Sequence, residues 1–235
     1  MVETAQAKSI GMAINFMSNT LMLDPSGCLF WQEENLLVVS DLHLEKGSSF
    51  AAKKGLFIPP YDTQATLEAL ALSITHWQPK TVISLGDSFH DDDAARRLPN
   101  SYKQHLTQLM QGINWIWVSG NHDPSPPKNL GGTFCKEIQI GNLNFCHEPK
   151  LEFSSGEIAG HLHPSAKIRQ RGKALRRRCF IGDEKRIIMP AFGAFTGGLN
   201  VLNDAYMNLF NARNFTSWML SGENVFEIEG HQLAT

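Results

Sequence analysis

The chain has 235 residues, 42% of them hydrophobic and 19% charged, with 19 Gly and 11 Pro; that composition excludes a fibrous or largely disordered protein. Its 21 Lys and Arg against 23 Asp and Glu leave a formal charge of −2, so any attraction to nucleic acid or an anionic membrane must be local. No apolar stretch approaches bilayer length and residues 1–16 lack a basic segment followed by an apolar core, so a soluble cytoplasmic protein is expected, with one domain over residues 1–235 and no membrane contact.

In chain order, Leu21 to Leu23 and Cys28 to Trp31 flank the turn Asp24-Pro25-Ser26-Gly27 and predict a hairpin. Leu36 to Ser40, Thr81 to Leu85 and Trp115 to Val118 are short apolar runs that read as strands, each ending at a polar cluster. Between the first two, Leu67, Leu70, Ile74 and Trp77 recur at helical spacing, predicting a helix from about Asp62 to Trp77, capped by Asp62 or Thr63 and stopped before Pro79. A second helix is predicted from Pro99 or Asn100 to Gln111, with Gly112 ending it. Two strand-helix-strand units imply parallel pairing. After the Pro/Gly-rich stretch Asp123 to Gly132 the pattern changes to strand candidates at Phe134 to Ile140, Leu143 to Cys146, Ile158 to Gly160, Ile187 to Met189 and Val225 to Ile228. These predict a second, more antiparallel sheet.

The four cysteines, Cys28, Cys135, Cys146 and Cys179, form no CxxC pair and read as small core residues. Histidine is distributed less evenly: His43, His90, His122, His147, His161 and His163 cluster beside Asp, Asn and Gly at the ends of apolar runs. Asp41 and His43 form D-x-H after the first parallel strand, and side chains two apart on an extended segment point the same way. Gly86-Asp87 follows the second strand and Gly120-Asn121-His122-Asp123 the third, at the edge where α/β sheets build sites. His147 and the pair in Gly160-His161-Leu162-His163 add three imidazoles. Asp41, His43, Asp87, Asn121, His147, His161 and His163 are too many ligands for one tetrahedral ion and suit two ions sharing a carboxylate. The absence of Cys favours Mn, Fe, Zn or Mg. Two such ions about 3.5 to 4 Å apart activate water and clamp a phosphoryl group.

The ordered set D-x-H, G-D, G-N-H-D, a lone His and G-H-x-H resembles the calcineurin-like metallophosphoesterase superfamily. The strings DLHLEKGSSF, GDSFHD, GNHDP, GHLHP and PAFGAFTGGLN are similar to its ligase-associated subfamily, PdeM, of DNA-damage-response phosphodiesterases or endonucleases, over Leu21 to about Asn200. The resemblance implies an α/β fold, a four-layer αββα sandwich of two mixed β-sheets flanked by helices. It implies a first metal on Asp41, His43 and His163, a second on Asn121, His147 and His161, and Asp87 bridging both, with Mn2+ favoured. Hydroxide held by the metals would attack phosphorus in line while His122, not a ligand, acts as general acid, a role worth roughly 10²- to 10⁴-fold in rate. Asp123 is expected to orient its loop.

Many phosphatases of the superfamily carry GDxxD where this chain has GDSFH, with His90 at that offset and Asp91 next. Recombination-repair nucleases carry histidine there, positioning a phosphodiester backbone, so the substitution tilts the expectation toward diesters; a plain loop role for His90 is the alternative. Asp91 to Asp93 reads as a solvated helix start, with Asp91 a candidate to orient a catalytic histidine. Lys167 to Arg178 holds seven of the chain's 21 cations. Arg169 and Arg171 within it are candidate substrate contacts, against the reading of a merely solvated strand-loop-strand. The expected activity is a dinuclear-metal phosphodiesterase acting on DNA, RNA or a small diester, plausible in DNA repair beside an ATP-dependent ligase or helicase. A phosphomonoesterase or small-nucleotide hydrolase would use the same ligands; a non-catalytic scaffold would have lost some of them, and this chain keeps all.

Overall fold

The computed structural model describes residues 11–54, 61–91, 93–123, 130–152, 155–170, 172–211 and 213–235. Its first half comprises β1 (Met12–Phe16), β2 (Asn19–Leu23), β3 (Leu29–Trp31), β4 (Leu36–Val39), α1 (Lys46–Lys54), α2 (Asp62–Trp77), β5 (Thr81–Leu85), α3 (Ala94–Arg97), α4 (Asn100–Leu109), β6 (Asn114–Val118) and β7 (Thr133–Cys135). The strands form one sheet in sequence order, antiparallel from β1 to β4 and parallel from β4 to β7. Side-chain alternation divides this sheet between two cores. Leu36, Val38, Ile83, Leu85, Ile116 and Val118 face the second sheet, whereas Leu37, Val39, Val82, Trp115 and Trp117 face α2 and α4. Burial on both faces is why the three parallel strands read as unbroken apolar runs.

The second half contributes β8 (Glu137–Ile140), β9 (Leu143–Cys146), β10 (Glu157–Ala159), β11 (Pro164–Gln170), β12 (Lys173–Gly182), β13 (Arg186–Ile188), β14 (Leu199–Asn200), α5 (Asp204–Met207), β15 (Thr216–Ser221) and β16 (Asn224–Glu229). These strands make a second mixed sheet in the order β14, β11, β12, β13, β10, β9, β8, extended by β15 on β12 and β16 on β15. β10 runs parallel to both β9 and β13, and β14 parallel to β11. Its inner face closes the core between the sheets through Phe145, Ile158, Phe180, Ile187 and Trp218.

The two mixed sheets and outer helices match the expected sandwich, with differences of detail. Phe134 to Ile140, expected as one strand, splits at Lys136: β7 completes the first sheet and β8 begins the second, so this run carries the chain across the seam. Asp62 and Thr63 do not cap α2. Asp62 Oδ2 accepts from Gly47 N at 2.8 Å and Thr63 Oγ1 from Glu45 N at 2.8 Å, so both tie α2 to the segment after His43. The fourth layer is thin, since the outer core around Val201, Tyr206, Phe210 and Leu233 is covered by the four-residue α5, a 3₁₀ turn at Gly230–Gln232 and irregular chain. Cys28, Cys146 and Cys179 are buried and free, as core residues would be. No helix among the described residues is long and apolar enough to cross a membrane.

The inter-sheet core should dominate stability. Phe180, fully buried and opposite Trp218 on β15, should cost about 3–5 kcal/mol on replacement by Ala. Exposed Phe226→Ala should stay within about 0.5 kcal/mol, both read from denaturant midpoints at constant m.

Candidate metal centre

β4 stops at Val39, and the chain beyond it is not the extended segment that D-x-H implies. Asp41 (φ 54°), His43 (φ 45°) and Glu45 (φ 65°) alternate into the left-handed region, as do Asp87 (φ 46°), His161 (φ 70°) and His163 (φ 46°). The carboxylate and imidazole therefore converge through repeated left-handed turns, not through strand pleat. Each such residue costs about 1–3 kcal/mol and persists only where its surroundings over-determine it. Here the two loops after β4 and β5 are zipped together: Asp41 N donates to Gly86 O at 3.2 Å, His43 N to Asp87 O at 2.9 Å, Leu44 N to Ser88 O at 2.9 Å, and His90 N to Leu44 O at 3.0 Å.

The motif glycines are demanded by this crowding. At Gly86 (φ 76°) a Cβ would lie 2.3 Å from His147 Nδ1, and at Gly120 one would lie 2.1 Å from Asp87 Oδ1. Loop 120–123 is held by Asp123, whose carboxylate accepts from Asp87 N and Gly120 N at 3.0 Å and from Phe89 N at 3.1 Å. Burial, with the charge of Asp87, pushes the Asp123 carboxyl up to about 7. The loop-orienting role expected of it fits this geometry.

The seven residues singled out as ligands come together in two groups. Asp41, His43 and His163 form one, with His43 Nε2 3.2 Å from His163 Nε2 and His163 Nε2 3.1 Å from Asp41 Oδ1. Asp87, His147 and His161 form the other, with His147 Nε2 3.4 Å from Asp87 Oδ2 and 3.2 Å from His161 Nδ1. Asn121 Oδ1 lies 3.0 Å from both imidazoles of this second group. The groups abut, since His43 Nε2 is 4.0 Å from Asp87 Oδ2 and His147 Nδ1 3.9 Å from Asp41 Oδ1.

The donor set fits divalent cations. Asp41 is fully buried and its Oδ1 is faced by imidazole nitrogens, His163 Nε2 at 3.1 Å and His147 Nδ1 at 3.9 Å, while further oxygen and imidazole nitrogen atoms crowd the same points. Such acceptors in low dielectric need a positive centre. His147 Nδ1 donates to Leu85 O at 3.0 Å, which turns Nε2 toward the second group. Burial opposes charge on His147, but Asp87 and Asp41 outweigh it and hold the imidazole up at about 9. Burial likewise opposes ionisation of Asp87, yet His147 holds it at about 2. Asp41 is kept below the ordinary carboxylate range against its burial, chiefly by His163. Burial lowers His43 to about 3 and also lowers His161, so both present lone pairs at neutral pH.

His122 and His90 stand beside the first group. The exposed His122 is fixed by its backbone N–H, which donates to Asp87 Oδ1 at 2.9 Å. Its ring packs edge-on to His43 with centroids 5.4 Å apart and stacks on His90 at 5.3 Å and 15°. His90 in turn lies against Phe50 of α1, at 5.6 Å and 30°, and its Nδ1 is 3.5 Å from His43 Nδ1. Asp91 accepts from Ser49 Oγ at 2.6 Å and pairs with Arg97 at 2.9 Å, tying the His90 loop to α1 and α3. Phe50 closes the string DLHLEKGSSF, but no spacing in that string assigns its ring a place beside His90.

The basic segment folds into the hairpin β11–β12, with Ser165 opposite Arg178 and Lys167 opposite Arg176. Arg169 lies six residues along β11 from His163, about 20 Å at strand rise, and Arg171 lies outside the described residues. The second half of the segment returns to the centre instead. Arg176, Arg177 and Arg178 line a cavity of about 170 Å³ with His163, Thr196 and Gly198. Antiparallel folding of that segment was the signal that would have found them.

Asp87 and Asp41 favour the protonated form of His147 against its burial, so a cation that binds there would displace that proton. The charged form persists up to about 9, so Mn2+ affinity should climb with pH from 6 and flatten above that value. Stability of the metal-free protein gained from this charge is complete below the ordinary histidine value and lost as pH rises toward 9. Calorimetry at pH 7 in buffers of differing ionisation enthalpy should show about one proton released per loaded protein.

A search of curated proteins finds no match. Among solved structures, the nuclease MPE of Pseudomonas putida is similar, with a TM-score of 0.72 and 25% identity over 93% of this chain and 100% of that one. The family model described as calcineurin-like phosphoesterase matches residues 35–187. That span carries every candidate ligand from Asp41 to His163, and the chain belongs to the calcineurin-like phosphoesterase family.

Proposed function

We propose that this chain is a two-metal phosphodiesterase that cleaves nucleic acid. The observation that carries the reading is the abutment of the two ligand groups through Asp87 and His147, with the His43, His90 and His122 rings packed beside the first group. Asp41, His43 and His163 would hold one cation, and His147, His161 and Asn121 the other, with Asp87 shared. When bound, the pair, which we assign as Mn2+, supplies Lewis acidity that activates water and neutralises phosphoryl charge. Asp87 also anchors the His122 backbone, so the same carboxylate sets both the metal site and the acid. An imidazole nitrogen of His122, exposed at the rim, delivers the proton to the leaving oxygen. His90, held between Phe50 and His122, steadies a diester chain, and Asp91 positions its loop. The similar Pseudomonas putida protein is a nuclease, and this, with the uncompensated arginines beside His163, supports a polyanionic substrate. The similarity of the motif strings to the ligase-associated subfamily supports a place in DNA repair with an ATP-dependent ligase or helicase.

His122→Ala should retain both metals and lower turnover by roughly 10²- to 10⁴-fold, whereas Asp87→Ala should lose both; equal depletion by elemental analysis would remove the division between ligand and acid. With Mn2+ restored after chelation, wild type should hydrolyse bis-p-nitrophenyl phosphate and single-stranded DNA, and His90→Ala should weaken both. Cleavage of monoesters alone, indifferent to His90, would make the chain a small-molecule phosphatase.

A further inference from the structure

Loop 191–199 crosses the first ligand group and is bonded along its length. Phe192 N donates to Ser40 O at 2.8 Å, Gly193 N to Asp41 O at 3.1 Å, and Ala194 N to Thr66 Oγ1 of α2 at 2.9 Å. Thr196 Oγ1 donates to Gly193 O at 2.6 Å, and Leu199 N donates to His163 O at 3.0 Å. The loop thus starts on Asp41 and ends on His163, spanning two ligands. Between those anchors Phe195 has φ 57° and is 62% exposed, and Lys46 Nζ donates to its carbonyl at 3.2 Å. A bulky residue rarely adopts this backbone, and an exposed ring recovers nothing from burial. A glycine would serve a purely structural loop better here, and the next residues but one are Gly197 and Gly198. Two residues separate Phe195 from the bond to Asp41, about 7 Å of chain.

Immediately beyond Phe195, the cavity of about 170 Å³ is lined by Thr196, Gly197, Gly198, His163 and the arginines of β12. Arg176 donates to Ser165 Oγ at 2.9 Å and to Gly198 O; Arg178 donates to Ala191 O at 2.8 Å and Ser26 O at 3.0 Å. Among the described residues no carboxylate pairs with Arg176, Arg177 or Arg178, so the cavity keeps their positive charge. It is smaller than the roughly 300 Å³ of cavities that enclose whole organic ligands. Its size and charge suit a phosphate whose attached base must lie outside, where Phe195 stands.

We propose that this cavity and Phe195 form one subsite for single-stranded polynucleotide: the Arg176 cavity takes a phosphate next to the scissile one, and a neighbouring base stacks on Phe195. A phosphate groove beside an aromatic face binds a strand without regard to sequence. The subsite rests on the nuclease reading and specifies its substrate as an unpaired strand, because a duplex keeps its base faces covered.

The test uses the full Mn2+-loaded chain and a phosphorothioate single strand carrying 2-aminopurine, whose fluorescence falls on stacking. Phe195→Ala should weaken binding roughly 5- to 100-fold and leave the probe bright, while Phe195→Trp should restore both binding and quenching. Phe195→Gly should weaken binding without lowering the melting temperature, since it relieves the left-handed strain; a structural Phe195 would instead destabilise on removal. Arg176→Gln should flatten the salt dependence of binding by about one charge. If wild type binds and cleaves the strand while Phe195→Ala matches it in affinity and quenching, the subsite is wrong and the nuclease reading stands. If wild type neither binds nor cleaves the strand yet hydrolyses p-nitrophenyl phosphate, both fall.

Discussion

Two carboxylates buried almost completely, Asp41 and Asp87, impose the constraint on which the rest of the structure depends. A carboxylate removed from water must be met by positive charge or donors. The protein meets this demand with a shell of imidazoles and backbone N–H groups: Asp87 Oδ1 receives His122 N, and Asp41 Oδ2 receives His161 N and Ser40 Oγ. The shell is incomplete at Asp41 Oδ1. His43 and His161 lean in as further lone pairs, while a proton on His147 substitutes for missing charge. A centre built this way is more acceptor-rich than its own residues can satisfy, which is the electrostatic condition for holding cations.

That shell cannot be assembled by one sheet. Asp41, His43, Asp87 and Asn121 follow β4, β5 and β6 of the first sheet; His147, His161 and His163 come from the ends of β9 and β10 and the entry to β11 of the second. The site therefore sits on the seam, and its geometry is inherited from the packing of Ile83, Phe145, Ile158 and Phe180 between the sheets. Damage to that core would displace one ligand set relative to the other before it unfolded either sheet, because interiors packed at this density transmit strain.

The candidate ligands were legible in the sequence because metal chemistry restricts residue types severely and strand ends deliver them in a fixed order. The mechanism of their convergence was not legible: left-handed backbone at Asp41, His43 and His163, uncommon even though Asp and His adopt it more readily than most residues, is held by contacts from loops far away in sequence. The strand runs 36–39, 81–85 and 114–118 were readable since both faces are apolar, whereas the β11–β12 hairpin hides under charge and the apolar run of β15 is only three residues long between serines. Arg177 and Arg178 are exposed although they lie in a strand whose continuation, Cys179 to Gly182, is fully buried. Within the basic segment, hairpin register brings Arg178 opposite Ser165 and Arg176 opposite Lys167, so the C-terminal arginines lie near the entry to β11, a proximity that linear spacing alone does not reveal.

The same register shows how a chain of net charge −2 can keep a local cluster of positive charge beside the centre. Some of the acidic residues lie at the centre, as Asp41 and Asp87 do, and others pair at a distance, as Glu137 does with Lys150 and Asp91 with Arg97. Arg176 and Arg178 are instead capped by carbonyl oxygens, which fix the guanidinium planes without neutralising them. Positive potential is thereby retained at the mouth of an acceptor-lined centre, and loading the centre with cations adds to it. On the proposed reading, attraction for phosphate would depend on metal occupancy as well as on salt, and would not require the protein to be basic overall.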